Sequence, residues 1–101
     1  MKRQNKSNKN WSHKHDYPEE EIWQTGHLIA QLIATRLRAF RSYDKHGYSG
    51  NFSSMEKWNK ALDKMIYAFE LYAHGTIAPE EQEAFQEGLD LFHDNFLYLW
   101  D

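Results

Sequence analysis

The chain has no cysteine, only two prolines and only five glycines in 101 residues. Without a thiol there is no disulfide, no zinc–thiolate centre and no cysteine nucleophile to consider. With so few helix breakers, long helices are permitted over most of the length. Long apolar runs are lacking too, since every uninterrupted stretch falls far below the ~20 residues that span a bilayer. Met1 leads into Lys2 and Arg3 with no apolar segment behind them, so the expectation is an intracellular chain with no secretory leader and no membrane partner. A glycine-rich phosphate loop is absent, because Gly47 and Gly50 are not followed by the Lys-Ser/Thr pair that such a loop needs.

What is present is a globular composition, 41% apolar and 27% charged, of a length that makes one domain. The net charge of -3 is unevenly spread. Residues 1–17 carry Lys2, Arg3, Lys6, Lys9 and Lys14 against Asp16, whereas residues 76–101 carry seven acids and no Lys or Arg. Residues 1–10 hold nothing to bury after Met1, so residues 1–15 read as a disordered basic arm and residues 16–101 as the folded domain.

Three helices account for the domain. Asp16-Tyr17-Pro18-Glu19 has the form of a helix start, with Glu19, Glu20 and Glu21 where the helix dipole favours negative charge, so the first helix is expected over residues 18–43. Its polar residues Gln24, His27, Gln31, Thr35 and Arg38 draw one stripe, read as the solvent face of the most buried helix. Asp44 to Phe52 forms a turn, and Ser53 with Glu56 gives a capping pattern for a second helix over residues 54–74. Met55, Trp58, Leu62, Met65, Phe69 and Tyr72 then repeat at spacings of 3, 4, 3, 4 and 3, which marks a bundle seam. Gly75 supplies a stop and Pro79 a new start. The third helix has Phe85, Leu89, Phe92, Phe96 and Leu99 on its apolar side. The fold class is therefore all-α, a three-helix up-down-up bundle with a basic N-terminal arm. Its core is expected to hold Ile33, Leu37, Phe40, Leu62, Met65, Phe69, Leu89, Phe92 and Phe96.

Chemistry is sparse. His13, His15 and Asp16 lie within four residues, but a structural metal site needs further ligands at fixed spacing, so no metal site is assigned. His27, His74 and His93 fall on polar faces or helix ends. The acids of the third helix lie on its wet side, where no burial tunes a carboxylate for proton transfer. No catalytic residue and no cofactor follow, and the chain reads as a non-enzyme.

Three binding features remain. Glu80, Glu83, Glu87, Asp90 and Asp94 recur at spacings of 3, 4, 3 and 4 and form an acidic stripe for a basic partner. Four Trp, six Tyr and six Phe would claim roughly 2,400 to 4,000 Å² of a total burial near ~11,500 Å². Some rings must therefore be exposed, with Trp11, Tyr17, Tyr43, Tyr48, Phe52, Tyr98 and Trp100 as candidates and Tyr48, Phe52 and Trp100 as partner-binding anchors. Arg36, Arg38 and Arg41 cluster near the end of the first helix, where either the helix dipole or a phosphate explains them.

Trp23, Ala30, Arg36-Leu37, Gly47-Tyr48-Ser49-Gly50, the segment Leu62-Asp63-Lys64-Met65-Ile66-Tyr67-Ala68-Phe69-Glu70, then Glu87-Gly88-Leu89-Asp90-Leu91-Phe92 and Leu99-Trp100-Asp101 carry a resemblance. Together they resemble a group of small uncharacterised helical proteins encoded by tailed bacteriophages. The resemblance implies a setting, the cytoplasm of a bacterial host, and no role for any residue. In that setting the expected function is a non-catalytic inhibitor of a host defence or nucleic-acid-processing complex, anti-CRISPR-like or of another anti-defence kind. An oligomeric sponge that sequesters a signalling nucleotide and a nucleic-acid-binding accessory protein are the alternatives. The expected partners are thus a host protein or defence effector, a nucleotide or nucleic acid, and a further copy of the chain. Removing residues 1–10 is expected to leave the melting temperature nearly unchanged, which thermal denaturation of the shortened chain checks. A large fall would mean that the arm contributes to the core.

Overall fold

A computed structural model describes residues 20–100, with side chains from residue 22 onward. The basic arm, His13, His15, Trp11 and Tyr17 lie outside the described residues. The order is a single helical turn α1 (Glu20–Trp23), then α2 (Thr25–Ser42), α3 (Met55–Ala73) and α4 (Gln82–Asn95), with 3-10 turns at Pro79–Glu81 and Phe96–Tyr98. Among the described residues the chain is all helical, with no strand.

The first expected helix is interrupted. Gln24 departs from helical geometry at φ -111° and ψ 20°. Thr25 follows, and its Oγ1 donates to the Ile22 carbonyl at 2.7 Å. A hydroxyl that satisfies a carbonyl in the preceding turn offers the backbone an alternative to the helical ladder, and the adjacent Gly26 is a weak helix former. α2 then ends where Lys45 donates to the carbonyls of Phe40, Arg41 and Tyr43 at 3.1 to 3.4 Å, a cationic cap on the negative end of the helix. The cap of α3 is Ser54 rather than Ser53, its hydroxyl accepting from the Lys57 amide at 3.2 Å. Gly75 takes φ +148°, a left-handed value that glycine adopts freely, and turns the chain out of α3. Before α4, the Glu81 carboxylate accepts from the Ala78 amide at 3.0 Å.

α3, not the first long helix, is the most buried. It packs against both α2 and α4, which make no close backbone approach to each other among the described residues. Trp58, Ala61, Leu62, Met65, Ile66, Ala68 and Phe69 are all buried on it, whereas α2 buries only Ala30, Ala34 and Leu37. Full burial of a side chain such as Leu62 or Met65 contributes about 1.5 to 3 kcal/mol, so most of the core's apolar stabilisation is concentrated on α3. Tyr72 near the end of α3 stacks on His27 near the start of α2 and lies 6.2 Å from Phe85 near the start of α4. At the opposite end, Phe40 meets the Trp58 ring edge-on at 6.5 Å.

Of the expected core, Leu37, Leu62, Met65 and Phe69 are buried, and Ile33, Phe40, Leu89 and Phe92 are packed against them. Phe96 is 58% exposed. α4 stops at Asn95, so Phe96 begins a tighter turn and leaves the seam, touching only the rim through Phe92 at 5.4 Å. The buried positions of α4 are instead Gly88 and Asn95. A Cβ added at Gly88 would lie 2.4 Å from the Ala68 Cβ and 2.5 Å from the Lys64 carbonyl oxygen. Neither obstacle is the end of a flexible side chain, so α4 would have to move away from α3. Gly88→Ala is therefore expected to destabilise the fold by about 1 to 3 kcal/mol despite alanine's better helix propensity, as chemical denaturation will measure.

Candidate functional site

α4 presents its acids because its other side is committed to α3. Glu83, Glu87, Asp90 and Asp94 line one shallow open groove with Gln86 and Leu91. Glu80 lies in the 3-10 turn before the helix and is not among the lining residues, so four of the five stripe residues come together. Their hydrogen bonds are peripheral: Lys64 of α3 donates to Glu87 at 2.7 Å, Gln86 to Asp90 at 2.9 Å, and His93 Nδ1 to Asp94 at 3.0 Å. The Glu87 and Lys64 side chains are each about half exposed, which makes theirs a weak surface pair. Carboxylates held this way in water are suited to attracting a basic surface over distance.

Beyond the end of α4 the exposed side chains turn apolar. Leu97, three residues beyond Asp94, is 79% exposed, and Trp100 is 73% exposed with its indole N–H bonded to the Leu97 carbonyl at 3.0 Å. Gly47, Tyr48, Tyr98 and Trp100 line a small cleft there, so the first loop and the chain's last turn meet. A buried polar clamp holds them together. Ser49, fully buried, donates to Asn95 Oδ1 at 2.6 Å, and Asn51 donates to the same oxygen at 2.9 Å. Asn95 in turn donates to the Leu91 carbonyl at 2.9 Å.

Of the aromatic anchors expected, Tyr48 and Trp100 share the cleft. Phe52 is half-buried and packs on the Trp58 ring at 5.6 Å, where it closes the end of the core. Exposed Leu97 and the clamp are features that the spacing of the sequence does not single out. The clamp's trace in the sequence is Asn95 itself, a polar residue at seam spacing between Phe92 and Leu99.

The arginines separate. Arg38 forms an ion pair with Glu70, and Arg41 binds Asp63 through Nε at 2.9 Å and Nη2 at 3.4 Å. Both lie on the flank between α2 and α3, while Arg36 is exposed on the outer side of α2. Two of the three guanidiniums thus already hold carboxylates.

Comparison with protein-family models, curated proteins and solved structures gives no match. The site's chemistry rests on its own geometry. No helix among the described residues is long and apolar enough to cross a membrane, and none of their His, Asp and Glu side chains group to hold a metal ion.

Asn95→Ala would strand the buried Ser49 hydroxyl without its acceptor and leave the Asn51 side chain only the Asp94 carbonyl on α4. A loss of about 2 to 3 kcal/mol is expected in a denaturant titration, with faster amide exchange at residues 47–51 as the local signature. Unchanged exchange there would mean that the clamp does not hold the loop.

Proposed function

We infer that the chain is a non-catalytic binding protein that docks its α4 surface onto a basic, nucleic-acid-binding face of a partner protein and so blocks it. The observation that carries this reading is the groove of exposed carboxylates formed by Glu83, Glu87, Asp90 and Asp94, with exposed Leu97 and Trp100 in the residues that follow α4. Interfaces take their energy from a few desolvated apolar and aromatic anchors, while rim charges set orientation and speed of encounter. α4 supplies the charges and the segment that follows it supplies the anchors, on a frame whose up-down-up course the antiparallel contacts of α3 favour. A row of carboxylates at helical spacing offers a basic groove the sign and repeat of charge that a nucleic-acid backbone offers it. A bacterial defence or nucleic-acid-processing complex, the setting implied by the resemblance to phage proteins, is a partner of that chemistry. A nucleotide sponge is the weaker reading, because phosphate would have to displace Glu70 from Arg38 and Asp63 from Arg41.

The test is a lysate pull-down followed by binding measurements on the captured protein at two salt concentrations. Glu83, Asp90 and Asp94 are changed together to Lys, leaving Glu87 with its Lys64 partner. The triple variant is expected to keep its melting temperature, since exposed charges contribute ~0 to 1 kcal/mol each, and to lose binding chiefly through slower association. The partner's nucleic acid should compete with the wild-type chain. Equal affinity for wild type and variant would remove the acidic row from the function.

A further inference from the structure

The strongest surface feature outside α4 is on α2. Thr25, Ile29, Leu32, Arg36, Ala39 and Tyr43 follow one another at spacings of 4, 3, 4, 3 and 4, and every one of them is exposed. The first five lie within α2 and Tyr43 immediately follows it. This is the spacing of a helix–helix seam, on the side of α2 turned away from Ala30, Ala34 and Leu37, which pack on α3. Ile29 and Leu32 are each at least half exposed, and Leu28 and Ile22 widen the strip. Nothing else in the described fold covers it, because α4 lies across α3 from it.

We propose that this face is the contact of a symmetric homodimer in which α2 packs antiparallel against α2 of a second copy. The spacing alone admits several occupants, and the charge pattern selects this one. α1 carries Glu20 and Glu21, and α2 carries no acid; of the arginines in its C-terminal half, Arg38 and Arg41 pair with α3 and Arg36 lies on this exposed face. A twofold axis that sets Ile29 against Leu32 of the second copy also sets Thr25 against its Arg36 and brings each acidic start beside the other copy's arginine end. A parallel pairing in register would set Arg36 against the other copy's Arg36. Residues 1–19 are a poorer cover, since Met1, Trp11 and Tyr17 are their only large apolar residues and show no seam spacing.

Area agrees with a modest interface. From the exposed fractions of Ile22, Leu28, Ile29, Leu32 and Tyr43, two copies would together bury roughly 950 Å², just under the ~1,000 Å² that a specific interface usually clears. A weak, reversible dimer with a dissociation constant on the order of 10 µM is the expected outcome.

Sedimentation equilibrium on the full chain from low to high micromolar concentration tests this. The wild type should show a monomer–dimer equilibrium. Ile29→Glu with Leu32→Glu should weaken it about thirtyfold or more while helical circular dichroism and melting of the monomer stay as in wild type. Arg36→Glu, which sets an acid beside the other copy's acidic end, should weaken it about fivefold. If the double variant loses helix content, Leu32→Lys and Arg36→Glu carry the test, and an undiminished dimer in both overturns the proposal. A wild type that stays monomeric throughout overturns it as well. A chain that dimerises only after residues 1–17 are removed would assign the face to its own N-terminal segment instead. None of these results depends on partner capture by α4, so the two readings stand or fall separately.

Discussion

The rest of the structure depends on how closely α4 approaches α3 at Gly88. With the Lys64 carbonyl 2.5 Å from where a Cβ would be, the two backbones touch without an intervening side chain. Packing that tight needs a glycine on one helix facing an alanine on the other, and the chain supplies Gly88 and Ala68. Because α4 is seated there, Phe92 meets Phe69 edge-on at 4.9 Å, Phe85 reaches Tyr72, and Asn95 arrives at the first loop. α3 thereby has a partner on each side and gathers most of the core. Among the described long helices α2 packs on α3 alone, and Ile29, Leu32 and Arg36 on its other side are exposed.

Much of this was legible in the sequence where one periodicity served one purpose. The α3 seam from Met55 to Tyr72, the stop at Gly75 and the start at Pro79 are all where spacing and turn chemistry put them. α2 misled because its polar residues do two jobs that look alike in a pattern. His27 and Arg38 belong to the stripe read as solvent, yet His27 Nδ1 donates to the Tyr72 carbonyl at 2.6 Å and Arg38 pairs with Glu70. A polar group satisfied at a helix interface and one satisfied by water leave the same mark in the sequence. The stripe read as the solvent face is therefore not where α2 is most exposed: Ile29 and Leu32 stand out from it, and only Ala30, Ala34 and Leu37 are buried.

The surface features divide along the same line. Acids at helical spacing announce a charged face, since nothing else in α4 competes for it, and four of the five share the groove. The arginines announced only positive charge near a helix end. What they hold is decided by Asp63 and Glu70, twenty and more residues away in the chain, which no local pattern connects to them. Phe52 and Tyr48 stand four residues apart in one loop, and whether each points in or out is set by Trp58 beneath them and by the Ser49–Asn95 bond between them.

The two outward faces have consequences for each other. α2 and α4 lie on opposite flanks of α3, so pairing through α2 leaves both acidic rows of a dimer uncovered. The arginines sit on the α2 side, and the carboxylate row sits on α4. A dimer built this way would carry two copies of the α4 surface on one helical frame. Against an assembly with repeated basic grooves, the second docking would be intramolecular, and avidity would exceed the affinity of either surface alone. On both proposals together the modest α2 contact would control binding, because dilution below its dissociation constant would return the chain to single-site binding without changing a single contact at α4.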